Sequence, residues 1–366
     1  MKVLIQRRGA VPRWLGVATP LLSVLLAFLA GALVLLASGS DPILVYGTML
    51  KTSLTTGFGI SETIVKGIPL MFTGLAVAVT LRMKVLNLGA EGQLNMGAFA
   101  ASLFALSLPG LPVYVMLPGM ILAGALGGAL WSLVAVVPSI IWGTSELITT
   151  LMLNYVAALW VSYLTNGPWR DPTARGFPLG PVFADAGQLP AFFGTRVHGG
   201  LVIALLCAVG LWLFLRSTRW GYEMNIIGAS RRAARYGGMN IARTILLVTV
   251  LSGAFAGLAG MSEVSGVIHR IQDGLSPGYG FAGIIVSALA RHNPLAIVLV
   301  ALLFGALQVG GYGVQMVGVS SNIVQILQGA VLLFVIGSDF FLQYRVRLLF
   351  PAFRPRLTGG PQENLQ

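Results

Sequence analysis

Apolar runs of about 20 residues, separated by short polar or basic breaks, recur along almost the whole chain. Ten can be drawn, at 15–37, 62–81, 86–106, 113–137, 146–165, 199–215, 244–262, 279–290, 294–310 and 322–341. Twenty helical residues rise about 30 Å, the thickness of a bilayer's hydrocarbon core. The pattern predicts an all-α polytopic membrane protein with about ten transmembrane helices. The eighth run, YGFAGIIVSALA, is too short to cross alone. It predicts a half-helix or re-entrant piece, tolerated only where protein surrounds it. Runs 2–5 and 7–10 are offset by five, an odd number. Corresponding helices would run in opposite directions, the signature of an inverted repeat.

Composition agrees with this pattern. Of 366 residues, 56% are hydrophobic and 9% charged, where soluble domains carry about a quarter charged residues. The lone Cys207 sits in an apolar run and forms no intrachain disulfide. The basic start, MKVLIQRRGAVPRWLG, leads into an apolar run longer than a signal peptide's core, so run 1 is expected to be an uncleaved span. The net charge of +12 need not mean nucleic acid, because in a membrane chain the question is sidedness. With the N-terminus in the cytoplasm, only Lys51, Lys66, Arg170, Arg175, Arg196 and Arg270 of the 23 Lys and Arg residues fall outside. Ten spans with both termini cytoplasmic therefore satisfy the positive-inside rule. The expected layout is a basic cytoplasmic N-terminus (1–14), a transmembrane region (15–341) and a cytoplasmic tail (342–366). The region includes an outer loop at 166–198 and a basic inner loop at 216–243. After Phe350 the tail is polar with three prolines, a composition of disorder.

Two runs carry polar stripes. Asn87, Glu91 and Asn95 are spaced i, i+4, i+8, as are Glu146, Thr150 and Asn154. On helices each set would occupy one face. An unpaired Glu facing lipid costs roughly 2.5–3.5 kcal/mol on insertion scales, so both stripes should face the bundle interior. Two readings fit: a polar path for a hydroxylated solute, or interhelical glue and capping. Capping fits Glu146 best, because it follows Thr144–Ser145. Phe99, Tyr155 and Trp160 could supply apolar walls for a base. Gly89, Gly92, Gly97, Gly124, Gly128, Gly253, Gly257 and Gly260 read as small-residue packing faces.

Other chemistry finds no support. GYGFAG at 278–283 matches a dinucleotide fingerprint but follows no strand and has no acidic residue at the right distance. It reads as a chance match. There is no P-loop pattern, no nucleophile–base set and no metal-ligand spacing among His198, His269 and His292.

The run SETIVKGIPLMFTGLAVAVTLRMKVLNLGAEGQLNMGAFAA resembles the membrane permeases of ATP-binding-cassette (ABC) importers for nucleosides and simple sugars, relatives of the ribose and branched-chain amino acid permeases. Arg82, Asn87, Gly89, Glu91, Gly92 and Gln93 match that family's R-x-x-x-F-N-I-G-x-E-G-Q pattern. ELITTLMLNYVA (146–157), AARYGGMNIARTILLVTVLSGAFAGLAG (233–260) and GYGFAGIIVSALARHNPLAIVLVALLFGAL (278–307) extend the likeness. Leu86, where Phe is common, and Ala282, where an acidic residue is often found, depart from it.

The resemblance implies a division of labour in a bacterial cytoplasmic membrane. An extracytoplasmic solute-binding protein delivers solute. Two permease chains, a homologous heterodimer, form the path, and separate ATPase subunits consume the ATP. This chain itself would hold no cofactor and no metal, and would contact lipid but not nucleic acid. Arg231, Arg232, Ala233, Ala234, Arg235 and Gly238, in RRAARYGG, resemble the segment that couples such permeases to their ATPase. A positive-inside loop alone would explain the same charges. A self-contained ion-coupled transporter using Glu91 or Glu146, or a non-transporting scaffold, are the competing classes.

Overall fold

The structure is a computed structural model that describes residues 2–7, 13–192, 194–320 and 322–349. It is nearly all helical. In chain order the helices are α1 (Arg13–Ala37), α2 (Pro42–Leu54), α3 (Gly57–Leu81), α4 (Ala90–Ser107), α5 (Val113–Trp142), α6 (Glu146–Asn166), α7 (Gly200–Ser217), α8 (Arg219–Ala229), α9 (Arg231–Tyr236), α10 (Ile241–Glu263), α11 (Tyr279–Leu289), α12 (Pro294–Val314) and α13 (Ile323–Gln343). Each of the ten expected spans falls on one of them. Among the described residues, six helices are long and apolar enough to cross a membrane. The exception to helix is an antiparallel ribbon of β1 (Lys2–Arg7) and β2 (Tyr344–Leu349), with Lys2 opposite Leu349. It pairs residues 2–7 with 344–349, where the sequence suggested only flanking tails. The stretch after Phe350, expected to be disordered, lies outside the described residues.

Three boundaries differ from the pattern. Helix α2 was not anticipated because its 13 residues are too few to span. Its start signal was present nonetheless: Pro42 opens the helix and Asp41 caps it, accepting from the Ile43 N–H at 2.9 Å. The third span is helical only from Ala90, and the chain before it is irregular. Lys66 is not a loop charge. It lies within α3, its side chain only 19% exposed.

Helices α3 and α10 form the core. Every residue from Gly67 to Thr80 and from Phe255 to Glu263 is buried, as expected of helices apolar on all faces. Their packing shows the inverted repeat. Helix α3 of the first half lies against α11 and α12 of the second, and α10 of the second lies against α4 and α5 of the first. Each half thus inserts its leading helix into the other. Helix α10 continues in a π turn, Val264–Ile268.

Glycines permit this interlock. On α4, Gly97 faces the Gly257 backbone of α10; on α5, Gly124 and Gly128 face Gly257 and Gly253. A Cβ on Gly257 would meet the Gly124 carbonyl, whereas one on Gly210 of α7 meets nothing within 4 Å. Gly257→Val is therefore expected to destabilise the fold by about 1–3 kcal/mol through overpacking, while Gly210→Ala leaves it unchanged. Thermal unfolding in detergent measures both, and equal melting of the two variants would contradict the interlock.

Candidate functional site

Between α3 and α4 the chain leaves helical geometry. Backbone groups buried in a membrane bundle need internal partners, and amide side chains supply them here. The Asn87 Oδ1 accepts from the Gly89 N–H at 2.8 Å, and its Nδ2 donates to Ser252 Oγ at 3.1 Å. Asn87 and Gln93 exchange reciprocal amide bonds at 3.2 Å. Asn154, from α6, reaches across. Its Nδ2 donates to the Leu88 carbonyl and its Oδ1 accepts from the Gly92 N–H, both at 2.8 Å. The expectation of one helical face for Asn87, Glu91 and Asn95 is corrected by this geometry. Asn87 precedes the helix, and only Glu91 and Asn95 lie on it.

Helix α11 meets α4 head to head. Tyr279 lies beside Lys66 and Gly283 beside Thr73, so α11 runs parallel to α3. Along α10, Asn87 pairs with Ser252 and Leu94 faces Gly260, so α4 runs with α10. Contact between Glu263 of α10 and Lys66 of α3 sets those two antiparallel. The amino ends of α4 and α11 therefore converge within the bundle. Helix α11 has 11 residues, about 16 Å at 1.5 Å each, which is half a bilayer. The anticipated half-helix is present.

Glu91 sits at the junction. Its Oε2 accepts from the Gly280 N–H in the first turn of α11 at 2.6 Å, while the Gly278 and Tyr279 N–H groups donate to Ser276 Oγ. It lies in the first turn of its own helix as well. Each helix start carries about half a positive charge, so one carboxylate serves two. Gly278, at φ +95°, turns the chain into α11, and a Cβ on Gly280 would meet the Ala90–Glu91 backbone. The glycines of GYGFAG are therefore what this junction requires, a role that the dinucleotide fingerprint concealed.

The remaining stripe residues are nearby. Asn95 Nδ2 donates to the Glu91 carbonyl at 3.0 Å, and Thr150 Oγ1 to the Glu146 carbonyl at 2.7 Å. The Glu146 Oε1 accepts from Ser139 Oγ at 3.1 Å, and no side-chain bond caps α6 itself. Asn87, Glu146 and Thr150 line a pocket of about 10 Å³ with Ser132 and Thr249. That is room for one water. Farther along the Glu91–Asn95 face of α4, Phe99 packs on Trp160 at 5.8 Å and stacks on Trp169 at 5.4 Å. Tyr155 stands apart and exposed.

A second polar cluster escaped the sequence reading. Lys66 Nζ donates to Tyr279 Oη at 3.1 Å and lies 3.8 Å from Glu263 Oε1. Glu62 pairs with Arg196 of the 166–198 loop at 2.9 Å. Lys66, with Glu263 beside it, thus holds the far side of the α11 start. A lone Glu263 inside an apolar run was the available signal.

Residues 59–336 match the family described as the branched-chain amino acid transport system permease component. The chain belongs to that family. A glucose ABC transporter permease of Haloferax volcanii is 37% identical over 96% of this chain and 95% of its own length. A guanosine ABC transporter permease of Bacillus subtilis is 32% identical over 87% and 92%. A nucleoside ABC transporter permease of Lactococcus lactis is 30% identical over 87% and 90%.

In this permease the RRAARYGG segment forms α9. Ser230 caps it, accepting from the Ala233 N–H at 3.2 Å, and Gly238 leaves it at φ +71°. Ala234 is fully buried, whereas Arg231, Arg232, Ala233, Arg235 and Tyr236 are exposed. Ala234 therefore anchors α9, and the basic face around it is free to meet another chain.

Asn154 offers a test of the cap network. Asn154→Leu leaves the Leu88 carbonyl and Gly92 N–H unpaired, at about 1–3 kcal/mol each. Asn154→Asp keeps an acceptor for Gly92 but sets a second oxygen against the Leu88 carbonyl, so it too should lose stability. Melting of the purified permease is expected to place both variants below wild type. Wild-type melting of Asn154→Leu would show that the network contributes nothing.

Proposed function

We propose that this chain is one of two permease subunits of an ABC importer that carries a sugar or nucleoside across the cytoplasmic membrane of a prokaryote. The observation that carries this reading is likeness along nearly the full chain to permeases named for glucose, guanosine and nucleosides. Those solutes share a hydroxylated sugar ring. An extracytoplasmic binding protein would select the solute, and ATPase subunits would supply the energy. The second permease would be a homologous, non-identical chain. Both termini would face the cytoplasm, supported by the charge distribution and by the ribbon that pairs residues 2–7 with 344–349.

Within this reading Glu91, Asn95, Phe99 and Trp160 form a polar-to-aromatic line along α4 and α6. Asn87, Glu146, Thr150 and Asn154 support its inner end. Such a line would stack on a sugar or base and exchange hydrogen bonds with hydroxyls. Arg231, Arg232, Ala233, Ala234, Arg235 and Gly238 would build the ATPase contact.

Co-purification from membranes tests the assembly. A stoichiometric ATPase partner and uptake that stops without ATP are expected; gradient-driven uptake by this chain alone would refute the reading. Reversing the exposed charges, Arg232→Glu with Arg235→Glu, should leave the permease inserted but cut ATPase recovery and uptake at least about tenfold. Glu91→Gln keeps one acceptor oxygen for Gly280 and removes the charge. Uptake should fall while ATPase recovery persists, and unchanged uptake with unchanged melting would remove Glu91 from both path and cap.

A further inference from the structure

We propose that the cleft between α7 and α10 binds one anionic phospholipid from the membrane leaflet on the α8–α9 side. Helices α7 and α10 each pack on α3 and leave a cleft of about 650 Å³ between them. Its walls are apolar from end to end, with Leu211 and Phe214 on one side and Leu247, Val250 and Leu251 on the other. Toward α8 the cleft meets a second cavity of about 360 Å³, whose lining includes Arg219, Trp220, Glu223 and Arg243. Arg243 lines the second cavity and Leu247, one turn on along the same face of α10, lines the first, so the two adjoin on that face. The combined shape is an apolar slot with a polar mouth, which matches an acyl chain and its headgroup.

Charge decides the headgroup. The Arg243 guanidinium lies 5.1 Å from the Trp220 ring. Arg219 is paired with Glu223 at 2.9 Å. Among the described residues no ion pair involves Arg243. Two cations against one carboxylate leave the mouth positive. A guanidinium fork suits a phosphate diester, and tryptophan favours the interfacial depth at which that phosphate lies. A zwitterionic headgroup brings its own cation to the mouth and forfeits most of the attraction.

The test uses the full chain purified with its co-expressed partners from vesicles of equimolar phosphatidylglycerol and phosphatidylcholine. Native mass spectrometry counts retained lipids. Wild type should hold phosphatidylglycerol over phosphatidylcholine by at least about fivefold, the effect of one basic side chain near the surface. Arg243→Gln should bring the ratio to parity, and Arg243→Lys should restore part of it. Gly210→Phe, placed where an added Cβ meets nothing, should expel both lipids from the cleft. Parity in wild type, or a wild-type ratio in Arg243→Gln or in Gly210→Phe, would overturn the proposal. So would a photocrosslinker on Cys207, which lines the cleft, if it captured a protein chain in place of phosphatidylglycerol.

Discussion

The arrangement turns on one carboxylate placed between two helix starts. A full-length helix and a half-helix whose amino ends meet inside a bundle present several N–H donors and two positive dipole ends to each other. Neither water nor lipid relieves them there. Glu91 answers both, through its own position in α4 and its 2.6 Å bond to Gly280 of α11. Once a charge is fixed at the junction, the neighbouring choices narrow. Gly278 and Gly280 must be small, the segment before α4 must find side-chain caps, and Asn87, Gln93 and Asn154 provide them.

The same junction explains why the halves interlock. A half-helix cannot bury its end alone, so α11 leans on α3 and Glu91, each from the other repeat. On the far side, Lys66 and Glu263 close around Tyr279. The α11 start is thus held between two charged groups that belong to different helices. The glycine contacts of Gly97, Gly128 and Gly257 bring α4, α5 and α10 close enough for these short polar reaches.

Much of the helical scaffold was legible because a bilayer demands long apolar runs, and each such run became a helix. The short α11 was legible for the same reason, by failing the length requirement. What spacing could not show was where a helix begins. Asn87 obeys the i, i+4 rule with Glu91, yet it precedes the helix, because periodicity is blind to the switch from helix to irregular chain. Asn154 aligned with Glu146 and Thr150 correctly, but its partners lie on α4, a tertiary contact with no local signature. Lys66 and Glu263 were obscured differently. Their mutual neutralisation depends on α3 and α10 crossing, and nearly 200 residues separate them in sequence.

The capped junction constrains how solute could pass. Prising α4 from α11 would strand Gly280 and Glu91 without partners, at a cost near that of any buried unpaired charge-assisted bond. Sliding α4 along α6 would break both Asn154 bonds. Motions that keep α4, α6 and α11 together avoid these losses. On the proposed reading, alternating access is therefore cheapest as rocking of whole permease chains against each other. The exposed face of α9 is well placed to receive that push, because its buried Ala234 ties it to the bundle that must move.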